Sequence, residues 1–263
     1  MASFSKLLLY VLLVLLGVAA ATLLRPSASD ASAQLAAVEQ RLGQLEKQSR
    51  YLTDRVEIEK LQALYVHYIN MGASQKIVDL FADSDEVEIE ISNKGVLVGK
   101  TAPVRWRFGD DPNADRSERP RPAGTVSMHM ASNPALEIDA AGERARAVWL
   151  SPGMSTLRLA RDGGKRVTGL WNWGKYEMEY LKQNGEWKIL KLRYHQIFLT
   201  PAGKSWTEES LDPDTVRQRV KPDRPSAPDF YQPYRVDRAR VFGPPPPDPY
   251  PQSGAALEAN SDG

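Results

Sequence analysis

Residues 64–91 read LYVHYINMGASQKIVDLFADSDEVEIEI, and the spacing of the apolar positions changes within that stretch. Its first part continues a helical period. At 100° per residue, Ile58, Leu61, Tyr65, Tyr68 and Ile69 fall within about a third of the wheel, which marks one buried face. Gly72 ends this helix, because the left-handed residue that closes a helix favours glycine. A short second helix is predicted over 75–81. Val87, Ile89 and Ile91 then alternate with Glu86, Glu88 and Glu90, the period of a half-exposed strand whose carboxylates form a solvated face. Asn93-Lys94-Gly95 turns that strand into another at 96–98.

Outward from this switch the same order holds. On the N-terminal side Asp54, with Glu57 three residues on, has the form of a capping box and predicts a helix start. On the C-terminal side Thr101 and Pro103 open a third helix through Phe108. Residues 109–124 are charged and proline-bearing without periodicity, a loop long enough to be a lid. Strands are predicted at 125–132, 135–139, 144–150, 168–181 and 187–198, separated by Asn133-Pro134, Ala141-Gly142, Gly163-Gly164 and Asn184-Gly185. Helices followed by a run of strands read as α+β rather than as a parallel βαβ repeat.

The two ends differ from this core. Residues 7–24 carry no charge, and the amino terminus plus Lys6 outweighs Arg25 in setting orientation, so residues 1–33 are expected to be a signal peptide or a membrane anchor that sends the chain to the periplasm or to the periplasmic face of the inner membrane. Within 34–53, Leu35, Val38, Leu42 and Leu45 follow a and d spacing that continues to Leu52 and Val56, with Ser49 interrupting it. Two readings stand: a short coiled coil serving self-association or a stalk, and an amphipathic helix folded back on its own domain. From residue 207 to 263 the chain is rich in proline, including Pro244 to Pro247, and should be an extended tail. Its aromatic residues Phe230, Tyr231 and Tyr234 are expected to pack on the domain or on a neighbouring subunit. That leaves 54–206 as one globular domain within the 263 residues.

Composition narrows the function classes. Lys+Arg 34 against Asp+Glu 33 gives a net charge of +1, so nothing draws the protein to phosphate backbones, and no nucleic-acid partner is expected. The absence of cysteine removes thiolate nucleophiles and thiolate metal sites. No histidine pair has ligand spacing and no glycine-rich loop follows a strand, so neither a metal nor a cofactor is expected.

The 64–91 string, with its tyrosine-bearing helix and its Leu-Phe-Ala-Asp closure, resembles the opening of the SnoaL-like domains of the nuclear transport factor 2-like superfamily. So do Val98-Gly99-Lys100-Thr101, the strand pair Met128 to Pro134 with Leu136-Glu137-Ile138-Asp139 and Ala145-Arg146-Ala147, and the segments Gly174-Lys175-Tyr176-Glu177 and Gly185-Glu186-Trp187-Lys188-Ile189. The resemblance implies a cone: a strongly bent antiparallel sheet wrapped around about three N-terminal helices, with an apolar pocket at its open end. Relatives include polyketide cyclases, scytalone dehydratase, ketosteroid isomerase, limonene epoxide hydrolase and a diarylpropane lyase, and others serve as transport or assembly modules.

Such a pocket implies a cofactor-independent lyase, dehydratase or isomerase working by acid–base catalysis on a small apolar oxygenated compound of aromatic, terpenoid or steroid-like type. His129 matches the histidine that dehydratase-type relatives place on this strand, and an imidazole there serves as acid or base near neutrality. Tyr65 and Tyr68 are the orienting phenols, His67 lies at the edge of the same helix face, and His195 on the last strand is secondary. Asn70 stands where many relatives carry aspartate, and Ala147-Val148-Trp149 lacks the second histidine of the dehydratase, so fewer ionisable groups remain for catalysis. Asn70, Trp106, Trp149, Trp171, Trp173 and Tyr176 are the expected substrate-binding residues. A homo-oligomer, dimer or trimer, is expected. The alternative is a non-catalytic exported module of the same fold, for ligand binding or for assembly.

Overall fold

One helix, α1 (Ala28–Met71), runs without interruption from the start of the described chain to the glycine expected to stop it. The computed structural model describes residues 28–113, 115–117, 122–158, 166–208, 211, 220–239 and 243–250. The uncharged run at 7–24, the end of the tail and part of the expected lid lie outside the described residues. Among the described residues no helix is long and apolar enough to cross a membrane. The chain divides into two compact units, Met1–Arg50 and Tyr51–Gly263. In the first, Leu35, Val38, Leu42 and Leu45 are exposed on the helix.

The helix start expected at Asp54 is a correction. Alanine, leucine, glutamate, glutamine and arginine dominate the preceding residues, all strong helix formers, and no glycine–proline break stands before the domain. Asp54 is mid-helix, 2% exposed, and its carboxylate accepts hydrogen bonds from Lys182 Nζ and, at 2.9 Å, from Trp187 Nε1. What reads as a cap ties the helix to two strands.

Seven strands form one curved, unclosed sheet. β1 (Glu88–Ile91) and β2 (Val96–Val98) lie at one edge, and β3 (Ser127–His129) and β4 (Ser132–Ile138) both pair with β5 (Arg144–Arg158) at the other. β6 (Val167–Gln183) and β7 (Glu186–Pro201) fill the middle of the order β2-β1-β7-β6-β5-β3. Asn184 and Gly185, both with positive φ, make the two-residue turn between β6 and β7. β1 pairs with β7 in parallel, unlike the antiparallel remainder, which the long stretch of chain between the two strands allows. Register shifts in β6–β7 near Gly174 and Tyr180, and in β4–β5 after Ser132, bend the sheet.

Helix α2 (Ser74–Val78) is shorter than expected. Its continuation is pulled into the sheet edge, where Ile189 N donates to Leu80 O and Ala82 N to Ile189 O, each at 2.9 Å. Helix α3 (Ala102–Phe108) matches the sequence reading closely. The concave face of the sheet buries Ile58, Leu61 and Tyr65 of α1. Gln62 is buried with them, and a hydrogen-bonded chain runs from Trp149 Nε1 to Tyr180 Oη (3.0 Å) and from Tyr180 Oη to Gln62 Oε1 (2.8 Å).

The convex face corrects another reading. Glu88 and Glu90 are not a solvated row: Glu90 is buried, and Glu88 pairs with Arg193 at 3.2 Å and with Arg224 of the tail at 3.0 Å. The tail does pack on the domain. Tyr234 N donates to Ile197 O at 2.7 Å, the Phe230 ring lies 4.4 Å from that of His195, and Arg146 stacks on Tyr250.

Removing one partner of a buried pair strands the other group. Asp54→Ala is therefore expected to cost about 3 kcal/mol of stability, read as a lowered urea midpoint at unchanged slope. A midpoint within error of the parent would mean that the Lys182 and Trp187 contacts hold nothing together.

Candidate functional site

Between α1, α3 and the open end of the concave sheet face lies a cavity of about 220 Å³. Tyr65 and Ile69 reach it from α1, Trp106 from α3, His129 from β3, Asn172 and Tyr176 from β6, and Tyr194 and Gln196 from β7. Strand alternation decides which side chains do so. Met128 on β3 and Met130 just beyond it are exposed, leaving His129 to the cavity. On β7 Tyr194 and Gln196 face in while His195 faces out, its Nε2 sharing a 2.7 Å hydrogen bond with Glu177.

Three phenols form the inner wall. The Tyr65 and Tyr176 rings are perpendicular at 5.6 Å, and Tyr176 and Tyr194 meet at 4.9 Å. The His129 ring stands edge-on to Tyr194 at 6.3 Å. Tyr194 Oη donates to Asn172 Oδ1 at 3.0 Å. The Tyr194 ring can lie there because residue 174 is glycine: a Cβ at that position would stand 2.5 Å from the ring carbon that bears the hydroxyl. Burial, first of all, and then the neighbouring Tyr176 hold the Tyr65 and Tyr194 phenols well above their ordinary ionisation range, and burial pushes Tyr176 up to about 12. At neutral pH all three are proton-bearing donors.

His129 is fixed through its backbone. Its N–H donates to Asn70 Oδ1 at 2.7 Å and its carbonyl accepts from Asn70 Nδ2 at 2.9 Å. An aspartate at 70 could accept the first bond but not donate the second, so asparagine suits a strand-holding role. Gln196, 8% exposed, accepts from Ser92 Oγ at 2.9 Å through Oε1, and its Nε2 has no hydrogen-bond partner among the described residues.

Of the sequence-derived candidates, His129, Tyr65, Trp106 and Tyr176 come together at the cavity. The others lie outside that lining. His67 is exposed, at the edge of the helix stripe where solvent reaches it. Tyr68 packs beside the core under the Lys76 ammonium, outside the lining. Asn70 acts on the backbone of His129 and does not line the cavity. Trp149 is buried against Tyr180 in the closed end. Trp171 and Trp173 are 41% and 45% exposed on the convex face, because Asn172 between them takes the inward position. Sequence reasoning missed Tyr194, Gln196 and Asn172. The alternation Lys191, Arg193, His195 against Leu192, Tyr194, Gln196 carries the signal for the first two.

The raised phenols predict a pH dependence. The unfolded chain ionises its tyrosines near pH 10, whereas the folded wall holds its protons to higher pH. Stability should therefore be level below pH 10 and fall as pH rises from 10 to about 12, by roughly 2–3 kcal/mol from Tyr176 alone. Urea midpoints across pH 8–12 check this, and Tyr176→Phe should flatten the fall. An equal fall in both proteins would place its origin elsewhere.

The domain model described as SnoaL-like matches residues 50–193. No curated protein matches the chain significantly. Among solved structures, a provisionally named scytalone dehydratase from Novosphingobium aromaticivorans is similar at 16% identity and a TM-score of 0.45, over 60% of this chain and 99% of that one. A hexachlorocyclohexane dehydrochlorinase, LinA-type3, from Novosphingobium barchaimii is also 16% identical with a TM-score of 0.45, over 63% and 99% of the two chains.

Proposed function

Because the chain belongs to the SnoaL-like domain family, we propose that it is a cofactor-independent lyase, dehydratase or isomerase acting on a small apolar oxygenated compound. The observation that carries this reading is the meeting of His129 with Tyr65, Tyr176 and Tyr194 at one cavity. Among the lining residues, imidazole alone ordinarily titrates near neutrality, so His129 is the group that takes and returns a proton. It removes a proton from carbon and delivers it to a departing hydroxyl in an elimination, or to another carbon in an isomerisation. The phenols, kept protonated by burial, donate hydrogen bonds to the substrate oxygen where negative charge develops. Gln196 Nε2 supplies a further donor.

The cavity bounds the substrate. About 220 Å³ lies below the roughly 300–1,000 Å³ of sites for drug-sized ligands, which favours one- or two-ring aromatic or terpenoid compounds over steroids. The uncharged run at 7–24 supports action outside the cytoplasm.

The test begins with the purified full-length chain, screened for thermal stabilisation by hydroxylated aromatics and monoterpene alcohols, since a ligand that binds only the folded state raises the midpoint. For a compound that is both bound and turned over, His129→Gln should lower kcat about 10²- to 10⁴-fold while stabilisation by that compound persists. Unchanged kcat in this variant would remove His129 from the chemistry. Binding without turnover across the screen would favour the ligand-binding module instead.

A further inference from the structure

Leu35, Val38, Leu42, Leu45, Leu52 and Val56 are each 47–64% exposed along α1. Projected at 100° per residue, these six and Ser49 fall within about 100° of arc, and the centre of that arc is about 160° from the centre of Ile58, Leu61 and Tyr65. The helix thus carries two apolar faces on opposite sides. One is buried against the sheet; the other is a seam of a and d positions running through three heptads.

We infer that this seam pairs, parallel and in register, with the same seam of a second copy of the chain. The flanking charges select both the partner and its direction. With Leu35, Leu42, Ser49 and Val56 at a and Val38, Leu45 and Leu52 at d, Arg41 occupies g and Glu46 the following e. In a parallel pair each g faces the next e across the interface, so Arg41 meets Glu46 of the partner subunit, and symmetry makes the contact twice. An antiparallel pair instead sets e against e and g against g; the register that confronts Arg41 with Arg55 also confronts Glu46 with its own copy. Arg41 makes a 3.4 Å contact to Gln44 of its own helix, at the long end of hydrogen-bonding range. Ser49, the one polar a residue of the seam, adds a register mark, since slipping by a heptad buries it against leucine or valine.

The chain contains no cysteine, so a single introduced thiol reports on one position only. In a parallel, in-register pair each a residue faces its own copy, whereas an outer f position such as Gln40 faces solvent. Under mild oxidation, full-length Ser49→Cys and Leu42→Cys should form disulfide-linked pairs on non-reducing gels, about tenfold more than Gln40→Cys, because linkage requires Cα atoms within roughly 7 Å. Ser49→Cys swaps a hydroxyl for a thiol of similar size and keeps the test valid where a leucine replacement disturbs the helix. Adding Arg41→Glu to Ser49→Cys should cut the linked fraction several-fold, and adding Glu46→Arg as well should restore it. No linkage at Ser49→Cys, equal linkage at Gln40→Cys, or indifference to the charge reversal would each overturn the parallel seam, including the cases in which a membrane or the chain's own domain covers it.

Discussion

Burying Ile58, Leu61 and Tyr65 on successive turns of one helix requires a surface that wraps it, because a flat sheet touches a cylinder along one line and leaves its flanks wet. The bend of β5, β6 and β7 answers that requirement, and the register shifts between paired strands are its local cause. The shift beside Gly174 does two things. It bends β6 against β7, and its missing Cβ leaves the space that the Tyr194 ring occupies. Curvature and cavity wall therefore come from the same residue.

The concave face is divided along its length. Towards one end polar groups are spent on architecture: Asp54 joins α1 to β6 and β7 through Lys182 and Trp187, and Trp149, Tyr180 and Gln62 join in a buried line. Towards the other end the same residue types stand around empty space, as Tyr65, Tyr176, Tyr194, His129 and Gln196. The convex face carries neither role in this division. Its glutamates and arginines pair across strands and with tail residue Arg224, while further along Met128, Met154 and Trp171 form an apolar cross-strand row.

Much of this was legible in the chain, and the errors have physical causes. Periodicity located the helix stripe, and the Asn-Gly turn located the β6–β7 hairpin, because both depend on neighbours along the chain. Asp54 misled because a capping signal is local, whereas its partner Lys182 is 128 residues away. Trp171 and Trp173 misled because aromatic character suggests a pocket, while facing is set by strand parity, which inverts with a one-residue change in register. His129 enters through the family resemblance and not through parity; the exposed Met128 beside it fixes the facing of that short strand.

The two buried glutamines show how placement separates structure from function. Each accepts one hydrogen bond through Oε1, from Tyr180 in one case and Ser92 in the other, and each leaves Nε2 without a partner among the described residues. A buried unpaired amide costs about 1–3 kcal/mol in either setting. Gln62 sits in the sealed core, where its Oε1 completes the Tyr180 line and nothing can later satisfy its Nε2. Gln196 sits on the cavity wall, where an incoming oxygen atom can. The same deficit is a fixed cost in the first position and a recoverable one in the second. An apolar ligand without an acceptor would leave it unrecovered, whereas one that brings an acceptor atom to this wall would recover it.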